Sequence, residues 1–238
     1  MNVGKSIKVA RFERVRFSEI ASTNEYAKSR RGEGKNLAVT AERQTGGKGT
    51  KGRSFSSEKG GVYLSMLTFY KDFPAKRAFE IMAGAAVAVC KTLRFYGLSP
   101  VIKWANDIYV NDKKICGILI ENVFSGTQVH SSVVGIGLNV CNELPKELAN
   151  VATTLQKETG RVFDVEEVTK RLLDELSKDV SIEEYRTLVG YVGREVVLIL
   201  GDERVPATLL SVDDEGALHA IVNGEERSFH AAEVSLKI

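Results

Sequence analysis

Apolar and polar positions alternate weakly from Arg11 to Ile20, the pattern of a half-buried strand. Ser22 or Thr23 then caps a helix that runs through Tyr26 and Ala27 toward Gly32. Leu37 to Ala41 predicts a short apolar strand, and Val62 to Leu67 predicts the next. Between them, from Gln44 to about Gly61, apolar periodicity is lost. Ala75 to Tyr96 has helical spacing, closed by Gly97. It is apolar nearly all round from Ile81 to Val87, so it should lie buried against a sheet. Val101 to Trp104 predicts a strand. Ile108 to Val110 and Lys114 to Phe124 flank Asn111-Asp112 as a hairpin would, and Ser132 to Val140 predicts a further strand. Val165 to Asp179 and Ile182 to Leu188 return to helical spacing with charged outer faces. Beyond Gly190 and Gly193 come short strands at Glu195 to Leu200, Val205 to Val212, Ala217 to Val222, Arg227 to His230 and Val234 to Lys237. The pattern predicts an α+β chain: a central mixed sheet flanked by helices over residues 1–190, and a small five-stranded β-barrel over 191–238.

Composition narrows the function classes. The 238 residues are 43% hydrophobic and 27% charged, enough to bury a full core. A net charge of +2 argues against bulk nucleic-acid or membrane binding. The longest apolar run, Ile81 to Cys90, is too short to span a bilayer. Lys5, Lys8, Arg11 and Glu13 interrupt any signal-peptide core, so the expected location is the cytoplasm. Cys90, Cys116 and Cys141 are scattered in apolar stretches and read as reduced core thiols. His130, His219 and His230 form no ligand or triad pattern.

The aperiodic stretch holds the most chemistry. Arg43 to Arg53 carries four glycines and four cations with no acid. Glycines let backbone N–H groups approach a ligand, and interleaved lysine and arginine supply charge-assisted hydrogen bonds, so a loop closing over a phosphate is one reading. A solvated flexible hairpin is the other. A long structureless connection inside a compact domain is usually functional. It is neither a Walker A loop, which needs Gly-Lys-Ser/Thr, nor a Gly-x-Gly-x-x-Gly dinucleotide turn. Ser22, Thr23 and Asn24 stand at a helix start, where they either cap or face a polar ligand. Strand alternation places Lys103 and Asp107 on one face, and Lys114 on one face with Cys116 and Ile118. Gly135, Gly137 and Asn139 share a face that the glycines leave bare, a mark of close approach.

Five landmarks in order resemble the biotin–protein ligases. Ser22-Thr23-Asn24 is similar to their Ser-Thr-Asn motif, and Gln44 to Arg53 to their Gln-Thr-x-Gly-Arg-Gly-Arg-x-Gly-Arg loop. Lys103-Trp104-Ala105-Asn106-Asp107 resembles Lys-Trp-Pro-Asn-Asp. Lys114 to Glu121 resembles Lys-Leu-x-Gly-Ile-Leu-x-Glu, and Gly135 to Val140 resembles Gly-Ile-Gly-x-Asn-Val. The likeness runs from about residue 12 to the end.

That resemblance implies a catalytic domain like those of class II aminoacyl-tRNA synthetases, an SH3-like C-terminal barrel, and a two-step reaction. Biotin and ATP give biotinyl-5′-AMP, and a lysine of a biotin carboxyl carrier protein domain then displaces AMP. It implies Lys114 and Arg53 as catalytic cations. Biotin would be held by Ser22, Thr23, Asn24, Gln44, Gly47, Lys48 and Gly117, with its ureido ring near the Gly135/Gly137 face. ATP and the adenylate would meet Lys48, Gly49, Thr50, Lys51, Arg53, Lys103, Trp104, Asn106, Asp107, Lys114 and Asn139. No fixed metal site is implied beyond Mg²⁺ on pyrophosphate near Asp107.

Lys48 and Thr50 stand where arginines are usual in the family, Phe55 where tryptophan is, and Ala105 where proline is. The expectation at Thr50 is a less firmly held adenylate. The motif at position 22 leaves no room for the DNA-binding domain some relatives carry, so a short form without DNA binding is expected. Two rivals are lipoate–protein ligase, whose loop carries a histidine absent here before His130, and a non-catalytic biotin- or partner-binding module. Dimers through the central sheet are known in the family, and no edge of this sequence identifies itself as such an interface.

Overall fold

The computed structural model describes residues 12–231 and 234–237. Its first unit is a seven-stranded sheet in the order β1-β2-β3-β7-β6-β5-β4. β1 (Glu13–Ile20), α1 (Thr23–Ser29) and β2 (Leu37–Gln44) form a crossover that leaves β1 and β2 parallel. β3 (Val62–Phe69) continues antiparallel, and α2 (Phe79–Phe95) follows a short 3-10 turn at Ala75–Arg77. β4 (Val101–Lys103), β5 (Asp107–Val110), β6 (Lys113–Ser125) and β7 (Gln128–Leu138) complete an antiparallel series. The sheet is therefore mixed, as the sequence pattern predicts.

Alternation along the strands decides which helix covers which face. Leu37, Val39, Leu67 and Val133 pack with Ala27 of α1. Their neighbours Ala38, Leu64, Met66 and Val134 point the other way, into the larger core with α2, α4 (Val165–Leu176) and α5 (Ile182–Leu188). α2 is apolar around its circumference because it is buried there, with Ala85 to Cys90 all at 3% exposure or less. The sequence pattern overlooks α3 (Leu155–Thr159), a single turn capped by Thr154.

Two strand-level expectations are corrected. Lys103 and Asp107 do not lie on one strand. A turn with a cis Trp104–Ala105 peptide separates β4 from β5, and the two residues face one another as cross-strand partners. Their shared face survives for a different reason. Lys114 does not share a face with Cys116 and Ile118. The ladder slips by one residue where Ile108 faces Cys116 but Tyr109 faces Lys114. That bulge inserts Ile115 and turns Lys114 toward Gly117 instead. The predicted hairpin is present, with Asn111 and Asp112 both at positive φ (49° and 58°), as a tight primed turn requires.

The C-terminal unit holds β8 (Glu195–Leu200), β9 (Glu203–Val212), β10 (Leu218–Val222), β11 (Glu225–Phe229) and β12 (Val234–Lys237). They pair in the order β11-β10-β9-β8-β12, all antiparallel. Closure into the expected barrel needs β11 to meet β12. Among the described residues they form no ladder, so the five predicted strands make an open sheet. Its β9–β10 turn docks on the first unit. Trp104 Nε1 donates to the Gly216 carbonyl at 3.1 Å, and a Cβ on Gly216 would fall 2.1 Å from the Phe79 ring. Among the described residues no helix is long and apolar enough to cross a membrane.

Candidate active site

Beside α1, the sheet face loses its side chains. Gly135 pairs with Ser65 on one side, and Gly117 pairs with Gly137 further along. The result is a narrow cleft, open to solvent on one side. Its lining joins Ser22, Thr23 and Asn24 to Gln44, Lys48, Gly49, Thr50, Asn106, Asp107, Lys114, Gly117, Gly135 and Gly137, residues spread over more than a hundred positions of chain. Gly47, Lys51, Arg53, Lys103, Trp104 and Asn139, also expected at the site, are not among the lining residues.

One end of the cleft is a dense polar wall. Ser22 acts as the helix cap, its hydroxyl accepting from the Glu25 N–H. Thr23 and Asn24 are buried and face inward. Thr23 donates its backbone N–H and its hydroxyl to Gln44 Oε1 at 2.8 and 2.9 Å, and Gln44 Nε2 donates to Ser57 Oγ at 2.9 Å. Ser65 Oγ lies 2.7 Å from Thr23 Oγ1 and 2.5 Å from Asn24 Oδ1. A hydroxyl carries one hydrogen, and the Thr23 hydrogen is already given to Gln44. The cluster is therefore one donor short and suits a ligand that brings N–H groups. Asn24 Nδ2 donates to Glu121, which Lys28 holds from the other side at 2.8 Å.

The glycine face is not bare. A Cβ at Gly135 would stand 2.2 Å from Asn24 Oδ1, and one at Gly137 would stand 2.5 Å from the Phe55 ring. The glycines make room for these two side chains. Gly47 serves the loop itself, since a Cβ there would meet the Phe55 carbonyl at 2.4 Å.

The opposite end is cationic. Lys114 Nζ donates to Asp107 Oδ1 at 2.7 Å, with both side chains partly exposed to the cleft. Asn106 anchors the approach to Asp107 by donating Nδ2 to the Ile118 carbonyl and accepting the Ile118 N–H at its own carbonyl. Lys103 lies over the Tyr109 ring. Burial pushes the Lys103 pKa below the ordinary lysine range; Asp107 opposes that, while the charges of Lys114 and Arg53 add to it. Three cations and one acid thus converge, a surplus of positive charge that suits a polyphosphate.

The loop carrying Arg53 is not structureless. Bridges between Gln44 and Ser57 and between Lys48 and Ser54 fold it into a hairpin, tipped by a turn at Thr50–Gly52 with Lys51 at φ 55°. Lys48 Nζ is held by Glu25 Oε1 at 2.5 Å, and hydrogen bonds from Lys28 and Lys48 keep the Glu25 carboxyl below its usual pKa. Lys51 Nζ reaches the Val234 carbonyl at 3.5 Å. Asn139 is buried: its Oδ1 accepts from Asn142, and its carbonyl accepts from the Leu155 N–H. Trp104 is a strut to the C-terminal sheet.

Ser65, Phe55, Glu25 and Glu121 are participants the motif reading did not assign. Ser65 had a signal, as the small hydroxyl within the apolar run Val62 to Leu67. Phe55 had one as well, standing where the family usually has tryptophan, but only the folded loop brings it over Gly137. Among the described residues no group of three or more His, Cys, Asp or Glu could hold a metal.

Comparison with known proteins fits this geometry. The model of the biotin/lipoate A/B protein ligase family matches residues 17–139, which span the polar wall, the loop and Lys114. The bifunctional ligase/repressor BirA of Bacillus subtilis is 31% identical over 215 residues, covering 83% of this chain and 65% of that protein. BirA of Escherichia coli is 30% identical over 232 residues, covering 92% of this chain and 72% of its own length. The chain thus spans about two thirds to three quarters of these two relatives. A biotin protein ligase from Aquifex aeolicus, solved in complex with biotin and ATP, superposes with a TM-score of 0.79 at 28% identity, covering 94% of this chain and 98% of that one. Matched through its site-bearing half and alike in fold over nearly its whole length, the chain belongs to the biotin/lipoate A/B protein ligase family.

Proposed function

We propose that the chain joins biotin to ATP as biotinyl-5′-AMP and passes the biotinyl group to a lysine of a biotin carboxyl carrier protein domain. The observation that carries this is Lys114, held by Asp107 between the donor-poor polar wall and the cationic loop. The likeness to a biotin protein ligase bound to biotin and ATP supports it.

In the first step a biotin carboxylate oxygen attacks the α-phosphorus. A P–O bond forms, the bond to the β-phosphate bridge breaks, and pyrophosphate leaves with the electron pair. Negative charge gathers on the α-phosphoryl oxygens, where a fixed ammonium in a partly dry site stabilises it. Lys114 is that ammonium, touching both the carboxylate and the α-phosphate, and Asp107 aims it. Lys48, Gly49 and Arg53 hold phosphates from the loop. Thr23, Asn24 and Gln44 bind the ureido group, whose N–H groups supply the donor the cluster lacks, with Ser22 fixing the helix start. Phe55 and Gly117 flank the acyl chain. In the second step the carrier lysine's neutral amine attacks the acyl carbon, the bond to the phosphate oxygen breaks, AMP leaves with the electron pair, and the nitrogen loses one proton to solvent as the amide forms. Loop closure keeps water from the mixed anhydride.

Magnesium fits as a passenger on the polyphosphate. It keeps several waters and needs few protein carboxylates, and Asp107 is the one at hand. The proposal includes a catalytic unit over 1–190 and an SH3-like unit over 191–238. The docking of Gly216 on Trp104, next to Asn106 and Asp107, supports that division of labour.

The test is exchange of labelled pyrophosphate into ATP. It should require biotin and fall by roughly a hundredfold or more in Lys114→Ala, the scale for removing one transition-state donor. Exchange driven by lipoate instead of biotin, or unaffected by Lys114→Ala, would refute the reading.

A further inference from the structure

The tip of the cationic loop contains an arrangement that phosphate binding alone does not require. Arg53 turns its guanidinium back on its own loop. Nη2 donates to Thr50 Oγ1 at 3.1 Å and Nε donates to the Thr50 carbonyl at 3.3 Å. The backbone closes the same turn, with Arg53 N–H donating to the Thr50 carbonyl at 3.3 Å and Gly49 N–H donating to the Arg53 carbonyl at 2.6 Å. Gly52, at φ 73°, permits the reversal. Thr50 lines the cleft, so the guanidinium is hydrogen-bonded to a residue of the cleft wall.

We infer that Thr50 is a positioning residue, whose hydroxyl and carbonyl hold Arg53 with its outer N–H groups presented to the phosphates of ATP. The inference rests on the adenylation reading above and adds to it a role for Thr50 through another side chain. Nε and one Nη2 hydrogen are used by Thr50, which leaves both Nη1 hydrogens and the second on Nη2 for phosphate oxygens. A long arginine side chain on an exposed loop loses rotamer freedom when it captures an anion, and one already held loses less. The Arg53 charge acts on Lys103 and Tyr109, so the held guanidinium adds to the same positive field as Lys114. Thr50 therefore does not leave a gap in the loop's grip. It exchanges a charge for the orientation of a neighbouring one.

The experiment is a double-mutant cycle on the full chain, read by calorimetric titration with ATP and by biotin-dependent pyrophosphate exchange. Thr50→Val keeps the shape and removes the acceptor. It should weaken ATP binding and raise the KM for ATP by about fivefold, the scale of one net hydrogen bond, while the KM for biotin stays unchanged. Thr50→Ser, which retains the hydroxyl, should restore wild-type values. In an Arg53→Ala background Thr50→Val should have no further effect. Wild-type ATP affinity in Thr50→Val, or losses that add in the double variant, would overturn the inference. The titration needs no turnover, so absence of exchange in the wild type would refute the adenylation reading and still leave the Thr50–Arg53 coupling measured.

Discussion

The two ends of the cleft are built by opposite means. The polar wall is made mainly of strand and helix residues whose side chains bind one another: Thr23, Asn24, Gln44 and Ser65, joined by Ser57 from the base of the loop, form one continuous network, mostly buried. The cationic end is made largely of a loop, whose Lys48 and Arg53 are exposed and are each held by a single neighbouring residue, Glu25 and Thr50. Only Lys114 and Asp107, set on the sheet, give that end a fixed point. The wall is preorganised for a small neutral head group, where every mispaired donor costs free energy. The loop leaves its charges exposed, with guanidinium N–H groups of Arg53 still open to a polyphosphate. The proposed reaction, which must admit ATP and then seal a reactive anhydride, would need both kinds of construction.

The contrast can be broken most sharply at the wall. In Gly135→Ala the new methyl meets Asn24 Oδ1, so Asn24 must move or the strand must shift. A loss of about 1–3 kcal/mol in a denaturant melt, together with weaker biotin binding, is expected. A wild-type melt would mean that Asn24 is not fixed there. Gln44→Ala leaves the Thr23 N–H without its acceptor. Calorimetry should show biotin bound roughly tenfold more weakly, and unchanged biotin affinity would remove Gln44 from the wall. At the loop the effects shrink. Glu25→Gln breaks exposed pairs with Lys48 and Lys28 and should change stability by less than about 1 kcal/mol. The sign follows from linkage. The folded Glu25 carboxyl sits below its unfolded pKa of 4.5, so its contribution is present above that value and lost as pH falls through the folded one. The difference between wild type and Glu25→Gln should therefore vanish in acid, and a difference that persists there would show that the ion pairs are not its source.

Most of the frame was legible because the strands of this sheet are apolar and their turns carry Gly, Asn and Asp. The strands of the sheet, the buried helix α2 and the hairpin at Asn111-Asp112 all follow from period and turn chemistry. The site was legible only in part. Motifs brought Thr23, Gln44, Lys114 and Gly135 to one cleft, since each owes its place to a strand or helix end. Errors arose where tertiary structure overrode local alternation. The bulge at Ile115 reversed the face of Lys114, and the turn at Trp104 moved Asp107 to a second strand. Glycine spacing predicted a bare face, but nothing local told that Phe55 and Asn24 would occupy it. Five short strands predicted a barrel, and closure depends on a β11–β12 pairing that the strand pattern alone does not determine.

The central claim is that one cleft binds biotin at the wall and ATP at the loop, with Lys114 between. Titrating both substrates in the pyrophosphate-exchange assay of Gln44→Ala and Arg53→Ala tests it directly. The account predicts that Gln44→Ala raises the KM for biotin alone and Arg53→Ala the KM for ATP alone. Both variants moving the same constant, or no biotin-dependent exchange in the wild type, would contradict it.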